Sequence, residues 1–143
     1  MFNNKNILLT GGTGSFGNKF VELVLKRYKP KKLIIFSRDE MKQWEMANKF
    51  TEDDRIRFFI GDVREKERLN RALANIDYVV HAAALKQVDT AEYNPDEYIK
   101  TNVLGSKNVV EASLENKVKK VIAEDKNTVN QGDLLFVMLP IVA

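Results

Sequence analysis

Five short apolar runs, each parted from the next by a stretch of helical periodicity, constrain this chain more than any other feature. They cover residues 5–10, 32–36, 55–60, 77–81 and 118–123. In between, residues 15–27 carry Phe16, Phe20, Leu23 and Val24 at helical spacing. Residues 39–50 open on Asp39 and Glu40, the acidic start that a helix dipole favours. Residues 65–73 predict a short helix, and residues 95–115 a long one with Ile99, Val103, Val110 and Leu114 on one face. Such alternation means repeated βαβ units, whose right-handed crossovers make the sheet parallel and cover both faces with helices. The expected fold is α/β, a doubly wound parallel sheet.

After Ala123 the pattern stops. Residues 124–133 are polar without a period, and 134–139 form an unbroken apolar run closed by Pro140. This run is either a sixth strand in the same sheet, as a hairpin against the fifth, or a tail out of its usual context. The expected division is a domain over 1–123 and an atypical tail over 124–143.

Composition narrows the function. A length of 143 residues suits one domain, and 44% hydrophobic content supports one core. The absence of cysteine excludes disulfides, thiolate metal sites and a catalytic thiol. His81 is the one histidine, so a multi-histidine metal site is excluded; the residue reads as a satisfied core histidine. A net charge of +3 does not call for a nucleic-acid partner. The N-terminus runs straight into a strand without the form of a signal peptide, and the ten-residue apolar run 134–143 is half the length of about 20 that a membrane span needs. A cytoplasmic protein is expected.

Chemistry concentrates in Thr10-Gly-Gly-Thr-Gly-Ser-Phe-Gly17, between the first strand and the first helix. Four of the seven glycines lie here, with Gly11, Gly14 and Gly17 spaced G-x-x-G-x-x-G. Gly11 suits the tight turn, Gly14 lets amides approach a pyrophosphate, and Gly17 lets the helix pack closely on the sheet. Thr13, Ser15 and Phe16 complete the loop, and the phosphates are expected at the helix N-terminus.

Ser37, twenty residues after Gly17, ends the second strand where an NAD site usually carries a carboxylate. A hydroxyl, the Arg38 guanidinium and Lys42 one turn later suit a 2′-phosphate, so NADP is expected. Asp39 is a competing partner for the ribose, and Arg38 and Lys42 also fit a solvated helix start. Asp62 and Val63 end the third strand. Asp62 either accepts from the adenine amine or caps the turn into the next helix. The small residues after His81 let the backbone lie against the cofactor, with Lys86 beyond the strand ends.

The motifs T-G-G-T-G-S-F-G (10–17), F-S-R-D-E (36–40), I-G-D-V-R (60–64), H-A-A-A-L-K (81–86), A-E-Y-N-P (91–95) and K-T-N-V-L-G (100–105) resemble those of extended short-chain dehydrogenase/reductases. Within these the chain is most similar to bacterial inverting UDP-N-acetylglucosamine 4,6-dehydratases of capsule and flagellin-sugar biosynthesis, over residues 1–123. The resemblance implies a Rossmann-type sheet and NADP held by Thr13 to Phe16, by Ser37, Arg38, Asp39, Glu40, Met41 and Lys42, by Asp62 and Val63, and by Ala82. It further implies that Lys86 contacts a UDP-sugar and that Asn102 belongs to the active-site hydrogen-bond network. The implied reaction is internal redox: hydride leaves C4 of the sugar for NADP, water is lost across C5–C6, and hydride returns to C6. A homo-oligomer is a further expectation.

The chain departs from that pattern after the fifth strand. Where the family has S-T-D-K it has Ala123-Glu-Asp-Lys126, so Asp125 and Lys126 stand as the candidate catalytic pair. No tyrosine follows Tyr98, so the family's Tyr-x-x-x-Lys helix is absent; Tyr28 and Lys32 share its spacing but lie at the far end of the first helix. Residues 124–143 read as a replacement end. The expected function is the NADP-binding portion of a nucleotide-sugar dehydratase, inactive alone; a stand-alone NADP-binding sensor or interaction module is the alternative.

Overall fold

A computed structural model describes residues 1–85, 87–124 and 136–140. Strands β1 (Asn6–Thr10), β2 (Lys32–Ser37), β3 (Ile56–Ile60), β4 (Tyr78–His81), β5 (Lys120–Glu124) and β6 (Phe136–Pro140) form one sheet in the order β3-β2-β1-β4-β5-β6. The pairings among β1 to β5 are all parallel, and β6 runs antiparallel to β5. Strand order grows outward from β1 in both directions, so the winding reverses between β1 and β4. This is a Rossmann-type doubly wound sheet, and the reversal opens a crevice at the carboxyl ends of those two strands.

Side chains alternate across the sheet, and both faces are covered. On one face Ile7, Leu9, Leu33, Ile35 and Val80 pack with Phe20, Val21 and Val24 of α1 (Ser15–Arg27) and Met46 of α2 (Glu40–Lys49). On the other, Leu8, Phe36, Val79 and Val121 meet Leu69 and Ala72 of α3 (Lys66–Ala72) and Val109 and Ala112 of α6 (Gly105–Glu115). Periodicity recovers these strands and helices because each has a buried face of its own.

The predicted helix over 95–115 is not one regular helix. It comprises α5 (Pro95–Tyr98), a π-helical turn (Ile99–Leu104) and α6, and a short α4 (Val88–Ala91) precedes it without a sequence signal. Ser106 Oγ donates to the carbonyl of Asn102 four residues back, 2.7 Å away, a bond that competes with regular winding. The face that packs inward carries Thr101, Gly105, Val109, Ala112 and Ser113. The predicted stripe instead lies outward: Ile99, Val103, Val110 and Leu114 are all exposed.

Candidate functional site

The crevice at the switch point is a cleft of about 760 Å³. The turn after β1 forms its near wall. Gly11 has φ +65°, and a Cβ there would come within 2.8 Å of the Ala83 backbone, so only glycine fits. Gly17 serves close packing of α1: a Cβ there would meet the Gly12 carbonyl oxygen, just beyond β1, at 2.0 Å. It lets the first turn of α1 sit on the loop itself and takes no part in the lining. Gly14 is the N-cap of α1 and offers no side-chain cap. Helix geometry leaves the leading amides without intrahelical partners, a setting for an anion. Thr13, Gly14, Ser15 and Phe16 line the cleft here.

The end of β2 supplies the second wall. Ser37 is buried, and its Oγ accepts from Gln43 Nε2 at 2.9 Å while Gln43 also donates to the carbonyls of Ser37 and Phe59. The Ser37 hydroxyl proton remains to be given to a ligand. Gln43 had no signal in the sequence, since a polar residue on the inward face of α2 looks like a break in the apolar pattern. Arg38, Asp39 and Lys42 line the cleft with Ser37. Asp39 is the N-cap of α2, its Oδ1 accepting the Lys42 amide at 3.0 Å. Glu40 and Met41, expected at the site, lie outside the lining on the exposed first turn of that helix, because the cap turns them away from the strand ends.

Of the two roles left open for Asp62, the structure shows the cap on the turn after β3, and the residue also lines the cleft. Its Oδ1 accepts the Arg64 amide at 2.9 Å, and its Oδ2 is held by Arg64 Nε at 2.9 Å with Arg38 Nη1 3.8 Å away. Burial alone would raise its pKa, but the hydrogen bonds and charge of Arg64, with the charge of Arg38, hold it below the ordinary carboxylate value. Arg64 also bridges to Glu97 of α5 at 2.7 Å, which ties the Asp62 turn to the helices beyond the cleft. Val63 and Ala82 also line the cleft.

The far wall follows β4. Ala83, Ala84 and Leu85 line it together with Gln87 and Thr101. Asn102 fixes this segment: Leu85 N donates to its Oδ1 at 2.8 Å, and its Nδ2 donates to the Leu85 carbonyl at 3.0 Å. The Thr101 hydroxyl is buried at the cleft without a hydrogen-bond partner. Thr101 and the alanines lay inside motifs already legible in the sequence; their meeting required the crossover. Lys86, Asp125 and Lys126 fall outside the described residues. Among the described residues no cluster of His, Asp or Glu is placed to hold a metal, and no helix is long and apolar enough to cross a membrane.

The cleft therefore joins a glycine turn, a helix N-terminus and two cations at the switch point of a doubly wound sheet. Residues 7–130 match the model of a family described as polysaccharide biosynthesis protein. The chain belongs to that family. It is 59% identical over 123 residues to a UDP-N-acetylglucosamine 4,6-dehydratase (inverting) of Campylobacter jejuni, covering 86% of this chain and 36% of the relative. It is 49% identical over 125 residues to a UDP-glucose 4-epimerase of Rickettsia akari, again covering 36% of that protein. Among solved structures it is similar to Pen from Bacillus thuringiensis, with a TM-score of 0.83 and 44% identity over 86% of this chain and 38% of the other. A dTDP-glucose 4,6-dehydratase from Streptomyces venezuelae, solved with NAD, gives a TM-score of 0.74 and 27% identity over 81% of this chain and 38% of the other. The chain thus spans a little over a third of the length of the relatives it matches.

Proposed function

We propose that this chain is the cytoplasmic NADP-binding portion of a nucleotide-sugar 4,6-dehydratase acting on UDP-N-acetylglucosamine in polysaccharide biosynthesis. The observation that carries the reading is the cleft itself, whose glycine turn, uncapped α1 N-terminus and Ser37–Arg38–Lys42 corner fit a dinucleotide bearing an additional phosphate. NADP over NAD rests on two features. The Asp39 carboxylate already serves the Lys42 amide, and the Ser37 hydroxyl is oriented by Gln43. An NAD site would want a carboxylate at that corner free for the ribose hydroxyls.

When bound, NADP supplies a reversible hydride acceptor. The chain's own residues do the rest. Thr13 to Phe16 hold the pyrophosphate, Ser37, Arg38 and Lys42 the 2′-phosphate, Asp62 and Val63 the adenine end, and Ala82 the far side. Lys86 contacts the sugar nucleotide. The 59% identity with the dehydratase against 49% with the epimerase favours dehydration.

Asp125 and Lys126 are the candidate acid–base pair, and without a Tyr-x-x-x-Lys the 143-residue chain is inactive by itself. The alternative, a binding module without chemistry, shares every contact up to that point. Incubation of the chain with UDP-N-acetylglucosamine and NADP tests the inactivity that both readings share. No 4-keto-6-deoxy product is expected, and product whose formation Lys126→Ala abolishes would overturn the inactivity.

The outward stripe supports a second copy as partner. Ile99 and Leu114, and Val103 and Val110, lie symmetrically about one point of the helix, so an antiparallel pairing sets each against an apolar residue, as a two-fold interface requires.

A further inference from the structure

We propose that His81 is a positioning residue: a neutral imidazole carrying its proton on Nε2, which ties the root of the glycine turn to the π turn on the opposite side of the cleft. The protonation state follows from counting donors and acceptors. Thr10 ends β1 immediately before Gly11 and is fully buried. Its Oγ1 accepts from the Ala83 amide at 3.3 Å and shares the Ala82 amide, 3.2 Å away, with the Thr10 carbonyl at the same distance. Its single proton then goes to its third neighbour, His81 Nδ1, 2.7 Å away. Nδ1 is an acceptor.

The other side of the ring gives the same answer independently. Ser106 Oγ lies 2.7 Å from the Asn102 carbonyl, which only accepts, so the serine proton points there. Ser106 Oγ must therefore accept from His81 Nε2, 3.0 Å away. The other tautomer would aim Nδ1–H at an oxygen that two amides already face and strand the Thr10 proton. It would also leave Ser106 and a bare Nε2 facing each other without a hydrogen between them. A doubly protonated ring fails at Nδ1 for the same reason.

The bonds make one continuous line from Gly11's neighbour Thr10, through His81 and Ser106, to Asn102, whose amide holds Leu85. Thr10 meanwhile anchors the Ala82 and Ala83 amides. The two walls of the cleft are thus set relative to each other by a residue that lines neither of them. Ser106 also stays out of the lining, so changing it alters no contact with a bound ligand. The effect on binding rests on the reading of the cleft as a dinucleotide site; the tautomer does not.

His81 is the chain's single histidine, so the full chain labelled with 15N-histidine shows one pair of ring nitrogens. A protonated Nε2 and a bare, acceptor-type Nδ1 are expected. Ser106→Ala removes the acceptor for Nε2–H and mixes the tautomers. It weakens NADPH binding by about three- to tenfold, the range for one lost hydrogen bond. Ser106→Thr, which keeps the hydroxyl, restores both readouts. A wild-type ring protonated on Nδ1 or averaging between tautomers overturns the assignment. Unchanged tautomer and affinity in Ser106→Ala overturn the positioning role. If the wild-type chain shows the expected tautomer and binds no NADPH, the cofactor reading fails while the assignment of the ring stands.

Discussion

The Asn102 side chain pairs with both backbone groups of Leu85, accepting from its amide at 2.8 Å and donating to its carbonyl at 3.0 Å. A strand neighbour would make the same two bonds, so a helix residue extends the sheet's hydrogen bonding past the end of β4. Asn102→Asp replaces the donor with a second acceptor facing the Leu85 carbonyl. A loss of about 1–3 kcal/mol in thermal unfolding is expected, with faster hydrogen exchange at the Leu85 amide. A change below about 0.5 kcal/mol would show that the pair does not hold the segment.

Gly11 combines φ +65° with a 2.8 Å approach to the Ala83 backbone. Gly11→Ala meets both penalties at once, and each is of order 1–3 kcal/mol. A clear drop in the urea midpoint is expected, together with loss of NADPH binding. Gly14→Ala is the contrast, since nothing lies nearer than 3.5 Å to its added Cβ. It should fold normally and lose affinity only where a ligand's phosphates approach.

The outward stripe gives a prediction about assembly. Val110→Glu places a charge amid exposed Val103, Ile99 and Leu114, and should lower self-association in sedimentation and remove the concentration dependence of the melting temperature. A destabilised monomer would mean that the stripe packs within one chain.

These elements show where the sequence speaks and where it falls silent. The turn from β1 into α1 is local, so Gly11, Gly14 and the helix that follows are legible residue by residue. The stripe at Ile99, Val103, Val110 and Leu114 is equally periodic, yet periodicity records only that a face is apolar and not what covers it. The core face of α6 is instead built of small and polar residues, Gly105, Ala112 and Ser113, which leave little trace in a hydropathy pattern. Gln43 and Ser106 were invisible for a related reason: the fold brings Ser37 and Phe59 to the one and His81 to the other.

Asp62 predicts the pH dependence. Its folded pKa lies below the ordinary value of 3.8, because the Arg64 and Arg38 interactions outweigh the opposing effect of burial. Its contribution is therefore fully present above the unfolded value and is lost as pH falls through the lower folded value. The stability difference between the wild type and Asp62→Asn should be constant near neutrality and shrink once pH drops below about 4. A difference that grows on acidification would contradict the pairing.

The central claim, an NADP site at the corner of Ser37, Arg38 and Lys42, is tested most directly by titrating the chain with NADPH and, separately, NADH. Trp44, exposed on α2 beside that corner, and the melting temperature report binding. NADPH is expected to bind and stabilise at lower concentration than NADH, with Arg38→Ala removing about tenfold of the preference, the worth of one charge-assisted phosphate contact. NADH binding as tightly as NADPH, or neither nucleotide binding, would contradict the account.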